Sequence, residues 1–146
     1  MKKRIIILGI LGLIVIGGLY LIRRFYDPKY NPDNAKTEVQ HLADDEIIKN
    51  GDLIFQTSLS GQSKAIQLAT NSKYSHCGII YSYNGKFYVF EAVQPVKSTP
   101  LDQWIAHGKG GHYVIKRLKN ADQILTAETL RRLKQEGEKF KGKDYD

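Results

Sequence analysis

The chain is poor in cysteine, with one such residue in 146. A single cysteine cannot form an internal disulfide, so the chain is not a small scaffold held together by disulfide bonds. Internal repeats and low-complexity segments are also absent, which excludes a solenoid or another repeat architecture. What is left after the N-terminal segment is about a hundred residues, enough for one small hydrophobic core.

The positive net charge of +7 does not indicate a nucleic-acid partner, because of where the charge lies. Residues 1–30 hold six lysines or arginines and one aspartate, whereas the rest of the chain holds sixteen basic and fourteen acidic residues. Neither a zinc-finger spacing nor an aromatic-rich RNA-binding signature is present. We therefore predict that the protein does not bind nucleic acid.

The basic N-terminus, residues 1–24, has the pattern of a membrane anchor or signal segment. Three basic residues precede residues 5–22, an apolar run whose only polar group is the Tyr20 hydroxyl, and two arginines follow it. The run is at the short limit for crossing a bilayer, and it offers a poor cleavage site. We predict an uncleaved transmembrane helix in a bacterial inner membrane, with residues 5–22 in the bilayer. The slight excess of positive charge before the run predicts a domain on the outer, periplasmic or extracellular, side.

Residues 25–37 contain two prolines and several turn-forming residues, and they are predicted to be a linker. Residues 38–146 are predicted to form one α+β domain, an antiparallel sheet with helices packed on it. The predicted elements are a helix over 38–49, a strand over 53–56, a helix over 63–70, a hairpin over 76–93, a short helix over 101–106, a strand over 113–118 and a helix over 127–140. Residues 95–100 are predicted to be a loop, and residues 107–111 a glycine-rich turn.

Helical spacing also predicts which side chains of these helices face the core. Thr126 is predicted to cap the last helix. The predicted inward-facing residues are Ile47, Ile48, Ala65, Ile66, Ala69, Leu130, Leu133 and Phe140.

The hairpin is the most strongly predicted element, because Asn84-Gly85 is a strong signal for a tight turn between two strands. A loop of two residues and a loop of four give the same register, in which Ile80 lies opposite Val89 and Ser82 opposite Phe87. Extending this register places Gly78 opposite Glu91 and His76 opposite Val93. His76 and Glu91 then share one face of the sheet as diagonal neighbours, about 7–8 Å apart between backbones.

A histidine beside a carboxylate is the pair that activates a nucleophile in many hydrolases. The carboxylate fixes the imidazole tautomer and stabilises the imidazolium that forms. Cys77 is the only candidate nucleophile of its type, but its side chain must point to the face opposite His76. We therefore predict that Cys77 is a buried structural residue among Ile79, Tyr81 and Phe90.

Six blocks of sequence follow one another in an order that resembles the YiiX-like permuted papain-type amidases. These enzymes are circularly permuted relatives of the NlpC-type cell-wall peptidases. The resemblance covers residues 51–145. The blocks are Gly51-Asp-Leu-Ile-Phe-Gln56, Gly61-Gln-Ser-Lys-Ala-Ile-Gln-Leu-Ala-Thr70, Tyr74-Ser-His-Cys-Gly78, Phe90-Glu-Ala-Val93, Pro95-Val-Lys97 and Thr99-Pro-Leu-Asp-Gln-Trp-Ile-Ala106.

The resemblance implies a cysteine amidase or peptidase in which His76 is the catalytic base and Glu91 its partner. The family's nucleophilic cysteine follows a Gly-Lys-Pro-Tyr-Asp-like segment. Here residues 142–146 are similar to that segment, with Asp144 at the usual proline, so the nucleophile is expected beyond the end of this chain. The expected substrate is an amide- or acyl-containing molecule, such as a cell-wall peptide or a lipid. A lipid acyltransferase or thioesterase of the same fold, and a catalytically inactive binding module, are the alternatives.

We predict no metal and no organic cofactor. Residues 137–144 fit the spacing of a phosphate-binding loop except that Asp144 replaces the Ser or Thr that binds magnesium, and they follow a helix instead of a strand. His107 and His112 lie five positions apart, across three glycines and a lysine, and have no nearby cysteine or carboxylate in the sequence. They are predicted to be loop residues, because a zinc site needs three or four fixed ligands.

Overall fold

The computed structural model describes residues 31–144, which form an α+β fold. A five-stranded antiparallel sheet has the strand order β4-β3-β2-β1-β5. The strands are β1 (Leu53–Ser58), β2 (His76–Tyr83), β3 (Lys86–Glu91), β4 (Lys97–Pro100) and β5 (Gly108–Lys116). The helices are α1 (Pro32–Asp44), α2 (Ser63–Thr70), α3 (Leu101–His107), α4 (Ala121–Ile124) and α5 (Ala127–Glu138).

The hairpin of β2 and β3 has the predicted register. Ile80 pairs with Val89, and Ser82 pairs with Phe87. Tyr83 pairs with Lys86, so the loop contains two residues, Asn84 and Gly85. Both have positive φ, 50° and 73°, as a tight hairpin turn of the mirror-image type requires.

The core lies on one face of the sheet, the face that carries Ile80 and Val89, both fully buried. Helix α3 covers this face with Leu101, Trp104 and Ile105, and α1 adds Ala35 to the same cluster. Strand residues of one face alternate with those of the other. His76, Gly78 and Glu91 therefore lie on the core face, at the end of the sheet that α3 does not fully cover.

The opposite face is only partly covered. Helix α5 crosses it without a single buried residue, and Gly137 is placed close to the Phe90 ring. A largely apolar cleft of about 530 Å³ remains between helix and sheet, lined by Ile79, Tyr81 and Leu130 among others. The predicted burial of Cys77 is wrong, because Cys77 is exposed on this face. The predicted stripe on the last helix is also not buried. Leu133 is 40% exposed, and Phe140, which lies just past the end of α5, is 54% exposed.

An ion pair joins the buried carboxylate of Asp52, just before β1, to Arg117, just after β5. Asp52 is 0% exposed. Its two carboxylate oxygens accept hydrogen bonds from Nε and Nη2 of Arg117, both at 2.7 Å. The backbone N–H of Lys49 donates a further bond of 2.8 Å, and Arg117 also donates to the carbonyl of Ile47. The Arg117 bonds thus tie the residue after β5 to the turn before β1, and the Lys49 bond holds that turn together.

The predicted fold is corrected at its N-terminus. The α+β architecture with an antiparallel sheet is as predicted. However, no helix within residues 31–144 is long and apolar enough to cross a membrane, so the fold has no transmembrane helix there. The segment predicted as anchor, residues 1–24, lies outside the described residues. Part of the predicted linker, residues 25–37, is helical: α1 begins at Pro32, and the Asn31 side chain accepts a hydrogen bond from the Asp33 N–H.

Several local predictions also differ from the structure. The predicted loop over 95–100 contains β4, and the predicted turn over 107–111 belongs to β5. Gly110 and Gly111 have positive φ inside that strand, which explains why a turn was predicted from their sequence. Helix α2 has the predicted bounds, but the predicted buried residues Ala65, Ile66 and Ala69 are exposed, and Ser63 is buried instead. In the turn after α1, Ile48 is buried as predicted, whereas Ile47 is 52% exposed.

Candidate functional site

The two predicted site residues meet where the hairpin ladder ends. His76 is the first residue of β2, and Glu91 is the last residue of β3. Gly78 lets β2 pack closely against β3 beside the pair, because a Cβ atom there would collide with the Val89 side chain and lie 2.8 Å from the Phe90 carbonyl oxygen. His76 itself pairs across to Gln56 of β1 and not to Val93, so β1 and β3 flank it from either side.

The side chains of His76 and Glu91 are in direct contact. The distance between His76 Nε2 and Glu91 Oε2 is 2.6 Å. The histidine side chain is 19% exposed and the glutamate side chain 7%. A bond this short between partly buried groups is in the range of charge-assisted hydrogen bonds. The predicted juxtaposition is therefore present, while the catalytic role of the pair stays a prediction.

Two further donors hold the Glu91 carboxylate in place. The Thr99 hydroxyl donates to Oε1 at 2.5 Å, and the Trp104 indole N–H donates to Oε2 at 2.9 Å. Thr99 is the third residue of β4, and Trp104 lies on α3, which follows β4 directly. Each carboxylate oxygen thus has a fixed partner from the same short stretch of chain, so the carboxylate cannot rotate away from the histidine.

The environment of Glu91 stabilises its ionised form. Burial alone would raise the pKa of Glu91. The hydrogen bonds from His76 and Thr99, the positive charge that His76 can carry and the bond from Trp104 together outweigh burial and lower that pKa. An ionised carboxylate against Nε2 requires a hydrogen on that nitrogen. Nδ1 is then the nitrogen of His76 that is left to accept a proton.

Trp104 also contacts the histidine ring itself. The two ring centroids are 5.8 Å apart with an interplanar angle of 27°, a stacked arrangement. This stacking, together with the N–H bond of Trp104 to Glu91, holds the imidazole ring in its orientation. The role of Trp104 and Thr99 was not predicted, although both lie in one block of the family resemblance. The sequence signal for this role was Trp104 itself, because a buried tryptophan needs an acceptor for its N–H.

The site opens into a groove of about 640 Å³. Polar side chains from the end of β1 and the start of α2 form one wall, and residues 92–94 and α3 form another. Its lining includes Gln56, Ser58, Ser60, Gln62 and Lys97 besides the His76–Glu91 pair. Cys77 does not line this groove, because it lies on the other face of the sheet. The pKa of its thiol is raised by the desolvation that partial burial causes, so the less nucleophilic thiol form is favoured.

Candidate metal ligands do not cluster in residues 31–144, where no three side chains of His, Cys, Asp or Glu come together. His107 is an exposed residue at the edge of the groove. His112 stacks on Tyr74 and lies 3.4 Å from the Lys73 ammonium nitrogen. The two histidines therefore do not share a site.

The described domain is thus an antiparallel sheet that presents a buried carboxylate–histidine pair to a groove. Residues 47–146 match the family of permuted papain-like amidase enzymes named YaeF/YiiX, family C92. This chain belongs to that family, as the resemblance predicted.

Two relatives show how far the similarity extends. The chain is 53% identical over 98 residues to the uncharacterized protein YiiX of Escherichia coli K12, which covers 67% of this chain and 47% of YiiX. It is also similar to the crystal structure of metalloprotein YiiX from Escherichia coli O157:H7. The TM-score is 0.62 at 54% identity, with 67% of this chain and 53% of that one covered. The chain therefore spans about half the length of these relatives.

Proposed function

We propose that this domain supplies the base and its orienting carboxylate to a thiol-dependent amide hydrolase. The observation that carries the proposal is the 2.6 Å contact between His76 Nε2 and a buried Glu91 that Thr99 and Trp104 hold in place. Membership in a family of permuted papain-like amidases supports the same reaction class. A purely structural pair would not need an open groove beside the free nitrogen of the histidine.

The roles of the two residues follow from their geometry. Glu91 keeps the Nε2–H bonded, so Nδ1 of His76 accepts the proton from the attacking thiol as the sulfur bonds to the carbonyl carbon. The imidazolium that results is stabilised by Glu91. As the amide C–N bond breaks, Nδ1 returns the proton to the leaving amine. Water then attacks the acyl carbon and gives a proton to Nδ1. Nδ1 passes this proton to the sulfur as the bond between sulfur and carbon breaks, which releases the carboxylic acid and restores the thiol.

The thiol in this scheme is not Cys77. Neighbouring residues of a strand point to opposite faces, so Cys77 cannot reach Nδ1 of His76 without unfolding β2. We propose that the nucleophilic cysteine is not among these 146 residues.

The lining of the groove favours an amide over a lipid acyl chain. Gln56, Ser58, Ser60 and Gln62 offer hydrogen-bonding groups to a peptide backbone, whereas an acyl chain would leave them unsatisfied. A cell-wall peptide is the substrate that we propose. It requires the domain to lie outside the inner membrane, and this location stays a prediction. No step of the scheme uses a metal ion, although one relative is described as a metalloprotein.

The test is turnover of short peptide amides by a protein that contains both this domain and the nucleophilic cysteine. His76→Ala is expected to lower kcat on the order of 10⁴-fold, because no other group can deprotonate the thiol. Glu91→Gln keeps an acceptor for Nε2–H but not the charge, so we expect a smaller loss, on the order of 10²-fold. The matched control is His112→Ala, an exposed histidine away from the groove, with unchanged turnover. A folded His76→Ala variant that keeps wild-type turnover would refute the proposal.

A further inference from the structure

The charged side chains of the groove are unevenly balanced. Of the described residues that line it, those that can carry a charge are His76, Glu91, Lys97 and His107. Glu91 is the only acid among them, and it is 6% exposed and bound by His76, Thr99 and Trp104. The charge that the groove presents to a ligand is therefore positive, and the ammonium group of Lys97 contributes to it without a change of protonation.

The position of Lys97 places its side chain beside the His76–Glu91 pair. Lys97 is the first residue of the edge strand β4 and pairs directly with Glu91 of β3. Thr99, two residues further along β4, donates to Glu91 Oε1, so Lys97 emerges on the same face of the sheet. The Cβ atoms of such a directly opposite pair are about 4.5–5.5 Å apart. The lysine stem thus starts next to the carboxylate that orients the histidine.

Lys97 is nevertheless unpaired in the described part of the chain. It takes part in none of the ion pairs there, although Glu91 is its direct neighbour across the strands. Both oxygens of that carboxylate already have partners, Oε1 in Thr99 and Oε2 in His76 and Trp104. An exposed lysine on an edge strand also discourages pairing with other chains, but this purpose does not require the side chain to face a groove.

The strand order determines how far Lys97 lies from the reacting group. Lys97 on β4 and His76 on β2 flank β3 from either side. Neighbouring strands are about 4.8 Å apart, so the two backbones are separated by about 10 Å, and an extended peptide covers this distance in about three residues. A group that Lys97 binds is therefore within about three residues of an amide bond that lies beside Nδ1 of His76.

We propose that Lys97 binds a carboxylate of the substrate, so that the groove selects acidic peptides over neutral peptides of the same length. The inference rests on the proposed function, since the selected molecule is the peptide amide that His76 helps to cleave. An ammonium group donates charge-assisted hydrogen bonds to a carboxylate. The wall formed by β1 and α2 offers only uncharged groups, so the acidic side chain of the substrate lies on the side of β4.

The first test is turnover by a protein that contains both this domain and the nucleophilic cysteine. Short peptide amides carry one glutamate within about three residues of the scissile bond, and each is matched by the same peptide with glutamine. We expect kcat/KM of the wild type to be about tenfold higher for the best glutamate peptide than for its match, mainly through KM, because the charge-assisted bond contributes to binding. Lys97→Met, which keeps the stem but removes the charge, should abolish this preference, and Lys97→Arg should retain it.

The second test is binding to the 146-residue chain, which requires no turnover. The same peptides are titrated against the isotope-labelled protein, and the NMR shifts of its backbone amides give Kd. We expect the glutamate peptide to bind about tenfold more tightly than its match, and this difference to shrink in about 0.5 M salt because salt screens exposed charges. Lys97→Met should bind both peptides equally. Lys86→Met, on an exposed lysine at the other end of β3, is the matched control and should keep the full preference.

The outcomes separate this inference from the proposed function. Equal binding of the glutamate and glutamine peptides to the wild type would overturn the inference. So would a preference for glutamate that persists in Lys97→Met. If His76→Ala is inactive in either case while the wild type cleaves the peptides, the proposed function still stands. If the wild type cleaves none of the peptides, the proposed function itself fails and the inference falls with it.

Discussion

Two buried carboxylates lie on the same small domain and have opposite kinds of partner. Asp52 is 0% exposed and Glu91 6% exposed. Asp52 is bound by both Nε and Nη2 of Arg117, a group that stays charged at any physiological pH. Glu91 is bound by His76, whose imidazole can gain and release a proton, and by the uncharged donors Thr99 and Trp104. Burial alone therefore does not distinguish a structural carboxylate from a functional one.

The two carboxylates differ in whether the side chain bound to them still has a nitrogen that can exchange a proton with a ligand. The Arg117 guanidinium uses Nε and Nη2 on Asp52 and Ile47, so its hydrogen bonds all point into the fold. His76 uses one nitrogen on Glu91, and its other nitrogen belongs to a ring that is 19% exposed beside the groove. A carboxylate whose partner can still exchange a proton with a ligand is the better candidate for catalysis.

The largest expected difference between Asp52 and Glu91 is in their contribution to folding stability. We expect Asp52→Asn to lower the free energy of unfolding by about 3 kcal/mol, because it sets an amide N–H against Arg117 and leaves a charge unpaired. We expect Glu91→Gln to lower it by only about 1 kcal/mol, since the amide oxygen can still accept from Trp104 and the Thr99 hydroxyl can turn to accept from the amide N–H. Urea denaturation of the two variants measures both values. Equal losses would mean that Glu91 is as structural as Asp52.

The next largest effect is the loss of folding stability at acid pH. The pKa of Glu91 is lowered from its ordinary value of 4.5 in the folded protein, so the carboxylate stabilises the fold above that pH. This contribution is lost as the pH falls below 4.5 and through the lower folded value. We expect the urea midpoint of the wild type to fall more steeply than that of Glu91→Gln between about pH 5 and pH 2. Parallel curves for the two proteins would contradict the prediction.

The smallest effect is expected at Cys77, on the face of the sheet away from both carboxylates. Cys77→Ala should change the free energy of unfolding by less than about 1 kcal/mol, because the side chain is exposed. A thiol reagent should label Cys77 in the folded chain, although slowly at neutral pH, because the pKa of the thiol is raised. Complete protection from the reagent until the chain unfolds would show that the outer face is covered.

The hairpin and its pair could be predicted because both are local. Asn84-Gly85 determines the turn, and period-two alternation then determines which side chains share a face. The turn and the alternation do not predict which face of the hairpin is buried. Ile79, Tyr81 and Phe90 are as apolar as Ile80 and Val89, so the pattern does not show which face the helices cover. Cys77 lies on the predicted face, opposite His76, but that face is only partly covered and Cys77 is exposed there.

The rest of the site depends on contacts between segments that are distant in the sequence. Gln56 meets His76 only because β1 inserts between β2 and β5, and no local pattern determines that strand order. Thr99 reaches Glu91 because residues 97–100 form an edge strand beside β3. In the sequence, however, a short segment that ends at Pro100 indicates a loop. Propensity could not show that tertiary pairing would make it a strand.

The sequence separation of these contacts has a consequence for the order of folding. The three hydrogen bonds of Glu91 join residues that are 15, 8 and 13 positions apart, all within residues 76–104. The pair of Asp52 and Arg117 closes a loop of 65 positions. Short loops lose less entropy on closing, so contacts of low sequence separation form first. We expect the chain to assemble its histidine and glutamate early, with the hairpin, and to close the sheet around them last.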